Sequence, residues 1–233
     1  SRQAENLREE KSHSVSLSAD MYRRFGAFQC NLLLEGFYTR LNHVFVLEEI
    51  GKDEEHNAVI KERRNGQGAE VAGVTVEGKV AYLSLVQLQA GVTWQKSHYT
   101  RPEKWSKDSS VPAEKRIFRT PDWYGYFTAT YSPVKPLNIA LSGTYTGSMI
   151  VQHMKGYIPK DMAVTTPDFF DMNLKISYDF SLYKFITLQL NAGVQNIFNA
   201  YQRDFDQGKE RDSGYIYGPS MPRSYFAGAK LMF

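Results

Sequence analysis

The chain has 233 residues, 42% hydrophobic and 14% aromatic, which suffices for one large domain or two small ones. Its formal charge of +3 comes from 28 basic and 25 acidic residues spread without a basic block, and this argues against a nucleic-acid partner. Cys30 is the single cysteine, which excludes an intramolecular disulfide and a thiolate metal cluster. With no activating neighbour in the sequence, it reads as a small apolar wall residue, and the redox compartment stays open. No apolar run reaches the roughly 18 residues of a transmembrane helix, and the residues after Ser1 carry no signal-peptide pattern. A transmembrane barrel would escape that test, because only half of each of its strands is apolar.

Taken in order, Ser1 to Glu10 reads as a polar loop. From Lys11 an alternation begins, with Val15, Leu17, Ala19 and Met21 against Ser14, Ser16, Ser18 and Asp20, and it ends near Phe25-Gly26. A second strand follows at once, with Phe28, Cys30, Leu32 and Leu34 on one face, and runs through Phe37-Tyr38 to about Leu47. The acidic stretch Glu48 to Glu55 then reads as a loop. A third strand is weakly patterned from Ala58 and clearer after Asn65-Gly66, with Ala72, Val74, Val76 and Val80 opposite Gly73, Thr75, Glu77 and Lys79. After a short turn near Tyr82, the fourth sets Val86, Leu88, Ala90, Val92 and Trp94 against Gln87, Gln89, Gly91, Thr93 and Gln95.

Ser97 to Thr120 reads as a long polar loop. The fifth strand spans about Asp122 to Tyr131, and the compact Ser132-Pro133-Val134-Lys135-Pro136 turn leads to a sixth from Leu137 to about Tyr145. A loop from about His153 to Pro167 precedes the most regular stretch in the chain, Phe170 to Asn199. Here Phe170, Met172, Leu174, Ile176, Tyr178 and Phe180 alternate with Asp171, Asn173, Lys175, Ser177 and Asp179. After a break at Ser181 to Lys184, Ile186, Leu188, Leu190, Ala192 and Val194 alternate with Thr187, Gln189, Asn191, Gly193 and Gln195. A period of two held through two successive segments excludes an amphipathic helix and reads as a long hairpin. Another long loop, Asn199 to Pro222, leads to a last strand from Arg223 to Phe233.

The connections therefore alternate short and long throughout, which places every short turn at one end of an antiparallel sheet and every long loop at the other. Outer-membrane barrels have this layout. The strands are also longer than the roughly 5 or 6 residues usual in soluble sheets, and a tilted strand of about 9 to 11 already spans a bilayer. The competing reading is a soluble or surface β-sandwich that binds glycans or proteins through its long loops. Two features favour the barrel. The polar positions carry Gln, Asn, Ser, Thr and Gly rather than Lys and Glu, and aromatics such as Tyr22, Phe25, Tyr38, Trp94, Trp123, Phe170 and Phe198 gather toward strand ends, as at lipid headgroups.

Several segments, in order, resemble the C-terminal part of a TonB-dependent outer-membrane receptor. Asn6-Leu7-Arg8-Glu9-Glu10-Lys11-Ser12 is similar to the N-L-K-P-E-K-S entry to a late barrel strand. Asn65-Gly66 through Gly73-Val74-Thr75-Val76-Glu77 resembles N-x-G-x-x-x-x-G-x-E-x-E, with Thr75 departing from the usual acid. Gly193-Val194-Gln195-Asn196-Ile197-Phe198-Asn199-Ala200-Tyr201 is close to the G-x-x-N-L-F-N/D-x-x-Y signature, and Pro222-Arg223-Ser224-Tyr225-Phe226 leads to a terminal aromatic, Phe233, of the kind read by the barrel-assembly machinery. The resemblance implies an all-β, antiparallel transmembrane barrel segment in a Gram-negative outer membrane. Residues 1–233 would be the last nine strands of a plugged barrel of about 22, with periplasmic short turns and extracellular long loops. The plug and earlier strands would then lie outside this chain. It further implies a receptor for a scarce metal complex (iron-siderophore, haem or cobalamin), energised by the inner-membrane protein TonB through the plug.

Under that reading Asp171, Asn173, Lys175, Gln189 and Asn191 line the lumen, and the ligand-contact candidates of the long loops are His98, Tyr99, Trp105, His153, Met154, Tyr157, Tyr201, Arg203, Tyr215 and Tyr217. His98, His153 and Met154 are of the type that ligates haem iron. Haem-type receptors carry an N-P motif where this chain has Ala4-Glu5, so the residues leave haem open. Asp204, Asp206, Glu210 and Asp212 alternate around Gly208 in a pattern that can wrap calcium, but the terminal bidentate Glu of an EF-hand loop is missing. The alternative is a solvated loop pairing with Arg203 and Arg211. No Ser/His/Asp or Cys/His arrangement and no phosphate-binding Gly loop is present, so neither enzymatic activity nor a cofactor or resident metal is expected.

Overall fold

Side chains that alternate in polarity segregate cleanly only when successive Cβ atoms point to opposite sides of an extended backbone. In the computed structural model, which describes residues 2–53 and 58–233, every helix or strand is accordingly a strand. In chain order these are β1 (Arg2–Gln3), β2 (Lys11–Phe25), β3 (Phe28–Asn42), β4 (Phe45–Asp53), β5 (Ala58–Asn65), β6 (Ala69–Tyr82), β7 (Val86–Glu103), β8 (Glu114–Arg116), β9 (Trp123–Val134), β10 (Leu137–Thr146), β11 (Ile150–His153), β12 (Met162–Thr165), β13 (Phe169–Tyr183), β14 (Ile186–Gln195) and β15 (Ser224–Met232). The main sheet runs β15-β14-β13-β10-β9-β7-β6-β3-β2, antiparallel throughout, with β8 added to β7. The short turns, β2 to β3, β6 to β7, β9 to β10 and β13 to β14, share one end, and the four long connections share the other.

One register carries each face across the sheet. Met21, Leu32, Gly78, Ala90, Phe127, Gly143 and Met172 are successive cross-strand partners on one side, while Tyr22, Asn31, Lys79, Gln89, Thr128, Ser142 and Asn173 are partners on the other. Among the described residues nothing is packed on the apolar side: Leu17 is 80% exposed, Leu34 49% and Leu190 44%. The chain exposes 15922 Å², against about 10,700 Å² for a compact soluble monomer of this mass. A sandwich would cover that side with a second sheet, and the described residues form none over it. β2 and β15 are the two open edges, so these nine strands are an arc of a wall.

Six local expectations are corrected. The second strand ends at Asn42, where His43 takes a left-handed φ of 57°, and the chain turns into β4. The supposed acidic loop is thus strand up to Asp53, its remainder at 54–55 lying outside the described residues. The third strand is two strands, because the Asn65 side chain bonds Arg8 and His43 backbone oxygens and ends β5 in a small sheet of β1, β5 and β4. Arg2–Gln3, read as loop, is the parallel edge of that sheet. β7 extends through Glu103, since Ala69 at the start of β6 still pairs with Tyr99, so His98 and Tyr99 stand on a strand rather than in a loop. The connection after Thr146 likewise contains a hairpin, β11 with β12.

Aromatic rings on the sheet lie over glycines of the neighbouring strand. A Cβ at Gly193 would meet the Leu174 carbonyl oxygen and sit 2.5 Å from Phe226 Cζ, whereas one at Gly36 would meet nothing within 4 Å. Gly193→Ala should therefore destabilise the protein by about 1 to 3 kcal/mol and Gly36→Ala should be near neutral in thermal unfolding. Equal shifts at the two positions would contradict the packing.

Candidate functional site

The last long loop, 196–223, is pinned at its root. Asn196 and Asn199 both take left-handed backbone, with φ of 50° and 54°, a conformation Asn tolerates better than most residues. The Asn196 carboxamide donates to the Ala200 and Met221 oxygens at 2.9 Å each and accepts from Ala200 N at 2.8 Å, while its own N–H donates to Asn173 Oδ1 at 2.9 Å. Asn199 Oδ1 accepts from Arg223 N at 2.9 Å. The two asparagines thus join the end of β14 to the start of β15.

Above that root the loop clasps the β11-β12 hairpin. His153 stacks on Tyr215, ring centroids 3.7 Å apart and nearly parallel, and its Nε2 hydrogen-bonds both carboxylate oxygens of Asp206 at 2.9 Å. Asp206 also accepts from Asp212 N at 2.9 Å, and Asp212 accepts from Met154 N and Gly214 N at 2.8 Å each. Asp204 takes the hydroxyls of Tyr215 and Tyr217, at 2.7 and 2.5 Å. Beneath, Val151, Phe169, Tyr215 and Tyr217 form a buried cluster backed by Met149, Val164 and Ala200. Gln202, 1% exposed, bridges the Tyr215 carbonyl and the Tyr217 N–H. Burial opposes ionisation of Asp204 and Asp206. The tyrosine hydroxyls on Asp204, and the Asp212 N–H and His153 on Asp206, outweigh it and hold both carboxyls below their usual range. Burial, then the Asp204 carboxylate, pushes Tyr217 up to about 12 and raises Tyr215 as well.

The 104–122 loop completes the cluster. Arg119, itself left-handed at φ 59°, donates to the Ile216 carbonyl at 2.8 Å and to the Gly214 carbonyl, and its N–H reaches Ile150 O at 2.8 Å. Ser106 Oγ donates at 2.6 Å to buried Asp161, whose other oxygen accepts from Lys155 N at 2.7 Å. Three loops from separate strand pairs are therefore bonded into one cap.

The candidates named from the sequence separate by position. His153, Tyr215 and Tyr217 are buried inside the clasp. His98 stands on the apolar side of the wall near Glu70 at 3.6 Å, and Tyr99, on the polar side, is half-buried. Trp105 Nε1 bonds the Pro112 carbonyl at 3.2 Å and its ring meets Phe118 edge-on. Met154, Tyr157 and Arg203 are exposed on the cap, Arg203 lying over Tyr201 at 5.7 Å. Asp171, Asn173, Lys175, Gln189 and Asn191 share the polar face. The alternating acids hold hydroxyls, an imidazole and N–H groups in place, and no cluster of metal-ligating side chains is found among the described residues. Arg119, Gln202 and Asn196 were not singled out as functional; the signature around Asn196 was the only available signal, and nothing in sequence marks Arg119 or Gln202.

A family model described as TonB dependent receptor-like, beta-barrel matches residues 1–197. Among solved structures, the chain is similar to the ferric-catecholate import receptor Fiu of E. coli K12, with TM-score 0.64 and 17% identity over 97% of this chain and 28% of that one. The ferripyoverdine receptor of Pseudomonas aeruginosa gives TM-score 0.64 at 15% identity over 97% and 27%, and the FrpB iron transporter of Neisseria meningitidis 0.61 at 14% over 97% and 32%. The chain thus spans about a third or less of these proteins. No curated protein matches it in sequence.

Because Asp204 and Asp206 ionise more easily in the folded cap than in the unfolded chain, their stabilisation is complete above the ordinary carboxylate range and is lost as pH falls through their depressed values. Amide exchange in 204–217, corrected for intrinsic rates, should stay slow from pH 7 to 5 and accelerate below about pH 4. His153→Ala should release the same segment at neutral pH; unchanged protection would show that the His153–Asp206 contact does not hold the cap.

Proposed function

The chain belongs to the TonB-dependent receptor β-barrel family, and from that membership we propose that residues 1–233 are the C-terminal stretch of an outer-membrane receptor barrel in a Gram-negative bacterium. The receptor takes up an anionic metal chelate, an iron-siderophore complex foremost. The remaining strands and the plug complete the barrel, and TonB supplies energy through the plug.

The charge of the cap supports the anionic ligand. Asp161 is buried, the Asp206 side chain is 2% exposed, and Asp204 and Asp212 are engaged by tyrosine hydroxyls and backbone N–H groups. Lys104, Lys155, Lys160, Arg203, Lys209 and Arg211 stay exposed on the same loops, with Asp108, Asp168, Asp204 and Glu210 as the exposed acids. A surface that buries Asp161 and Asp206 and leaves more cations than acids exposed attracts an anion, raising its capture rate and holding it by charge-assisted hydrogen bonds. Tyr157 and Tyr201 add aromatic faces beside these cations. The similar structures named for ferric-catecholate and ferripyoverdine receptors are consistent with this class. Haem is disfavoured at His153, whose Nε2 is occupied, and at His98, which stands on the apolar side of the wall.

Calorimetric titration of the full-length receptor with a ferric tris-catecholate, haem and cobalamin tests the reading: the ferric chelate should bind tightest, and tighter binding of haem or cobalamin would overturn it. Arg203→Ala and Lys155→Ala should each weaken the chelate by about tenfold if they bond it directly. The membrane orientation has its own test. Leu190→Arg should cost about 2 to 4 kcal/mol at mid-bilayer while Gln189→Arg, on the opposite face, should be mild; similar costs would sink the face assignment.

A further inference from the structure

The apolar side of the wall ends, toward the long loops, in a row of charge. His13, Arg40, Glu70, His98 and Arg116 are successive cross-strand partners on β2, β3, β6, β7 and β8. They share the side occupied by Val15, Tyr38, Ala72 and Trp94, two residues further toward the loops on each of the four long strands. Glu70 is bracketed by Arg40 Nη1 at 3.8 Å and His98 Nε2 at 3.6 Å, one on each carboxylate oxygen. One row nearer the apolar zone, Lys96 pairs with Asp122 at 2.6 Å, beside the register-paired Trp94 and Trp123. Arg116 and Trp123, with Tyr145 and Asp122, also line a cavity of about 210 Å³.

The geometry points to this row as a docking surface for the phosphorylated headgroup of an anionic lipid in the leaflet on the long-loop side, the acyl chains lying on the apolar wall below. The inference rests on the membrane-barrel reading. Neighbouring strands lie about 4.8 Å apart, so five consecutive partners make a band roughly 19 Å long whose two arginines flank a single carboxylate. Directly below it Leu17, Val74, Val76 and Val92 remain exposed and uncovered. An apolar wall meeting tryptophans, then guanidinium groups, is the order in which a phospholipid presents acyl chain, interface and phosphate. Arg40 and Arg116 are half or more exposed, at 51% and 59%, so each fork retains donors for a phosphate after its contact with Glu70 or Glu114.

The test is native mass spectrometry of the full-length receptor in neutral detergent, titrated with dioleoyl phosphatidic acid or dioleoyl phosphatidylcholine. The wild type should prefer phosphatidic acid by about tenfold. Arg40→Gln/Arg116→Gln should abolish that preference, Lys135→Gln, at the opposite end of the sheet, should keep it, and Glu70→Gln should strengthen it, a gain that misfolding cannot mimic. An indifferent wild type, or a preference that survives in the double variant, overturns the proposal. Full competition by inorganic phosphate also overturns it, in favour of a free-anion site. A detergent-inserted receptor without lipid preference refutes the row alone, whereas a receptor that folds without detergent and takes up no lipid refutes the barrel reading beneath it.

Discussion

Everything in this chain depends on one cross-strand register held across nine strands. Side chains alternate with a period of two, so a one-residue slip between any two strands would transfer a whole strand's apolar set to the polar face. Along the path of the main sheet, irregularities occur next to short turns, between Leu137 and Ile139 and between Ser181 and Tyr183, where a shift moves few residues. Toward the long loops the ladder is unbroken, and aromatic rings laid over Gly143 and Gly193 key neighbouring strands to each other. A ring over a glycine fits only when those two residues are partners, so each such pair also penalises a slip.

The cap obeys a different rule. Its segments lack the alternation of the strands, and its order comes from carboxylates that gather donors from distant positions. Asp206 joins His153 to Asp212, Asp204 joins two tyrosines, and Asp161 joins Ser106 to Lys155. Asp161 and the Asp206 side chain are buried by the groups they bind, where the interaction is stronger than in water. The same arrangement sets the outward charge, because an acid directed inward leaves its sequence neighbours Arg203, Lys209 and Arg211 to define the surface.

The nine long strands, the alternation of short and long connections and the polarity of each face were legible because all three follow from a period that sequence displays directly. The small sheet of β1, β5 and β4 was not. It is made by chain segments with weak alternation and an acidic stretch, and it depends on Asn65 bonding Arg8 and His43, a contact between positions far apart in sequence. The projection of β7 to Glu103 was hidden for a related reason: its final residues are polar on both sides, and pairing with β6 and β8 decides their conformation. In the cap, sequence marked Tyr215, Tyr217 and His153 as notable but could not show whether their rings faced solvent. An alternating acidic run is compatible with calcium, with water, or with tyrosine and histidine partners, and only the folded position of those partners distinguishes the three.

On the proposed receptor reading, the polar face also bears on how a plug could be held. Its cross-strand contacts are largely between neutral or singly charged groups: Thr75 with Thr93 at 2.8 Å, Gln89 with Tyr126 at 2.8 Å, Gln189 with Asp179 at 2.8 Å and Ser224 with Gln195 at 3.1 Å. Amides and hydroxyls both donate and accept, so they can exchange a protein partner for water with a small net change in free energy. Fixed ion pairs would lock a neighbouring domain more selectively, and a buried charge left unpaired by its movement would cost several kcal/mol. On that reading, a wall rich in exchangeable groups suits a plug that is held at rest and remodelled when energy arrives. The clasped cap, by contrast, joins its loops through bonded carboxylates and a buried aromatic cluster, which confines easy rearrangement to the polar face.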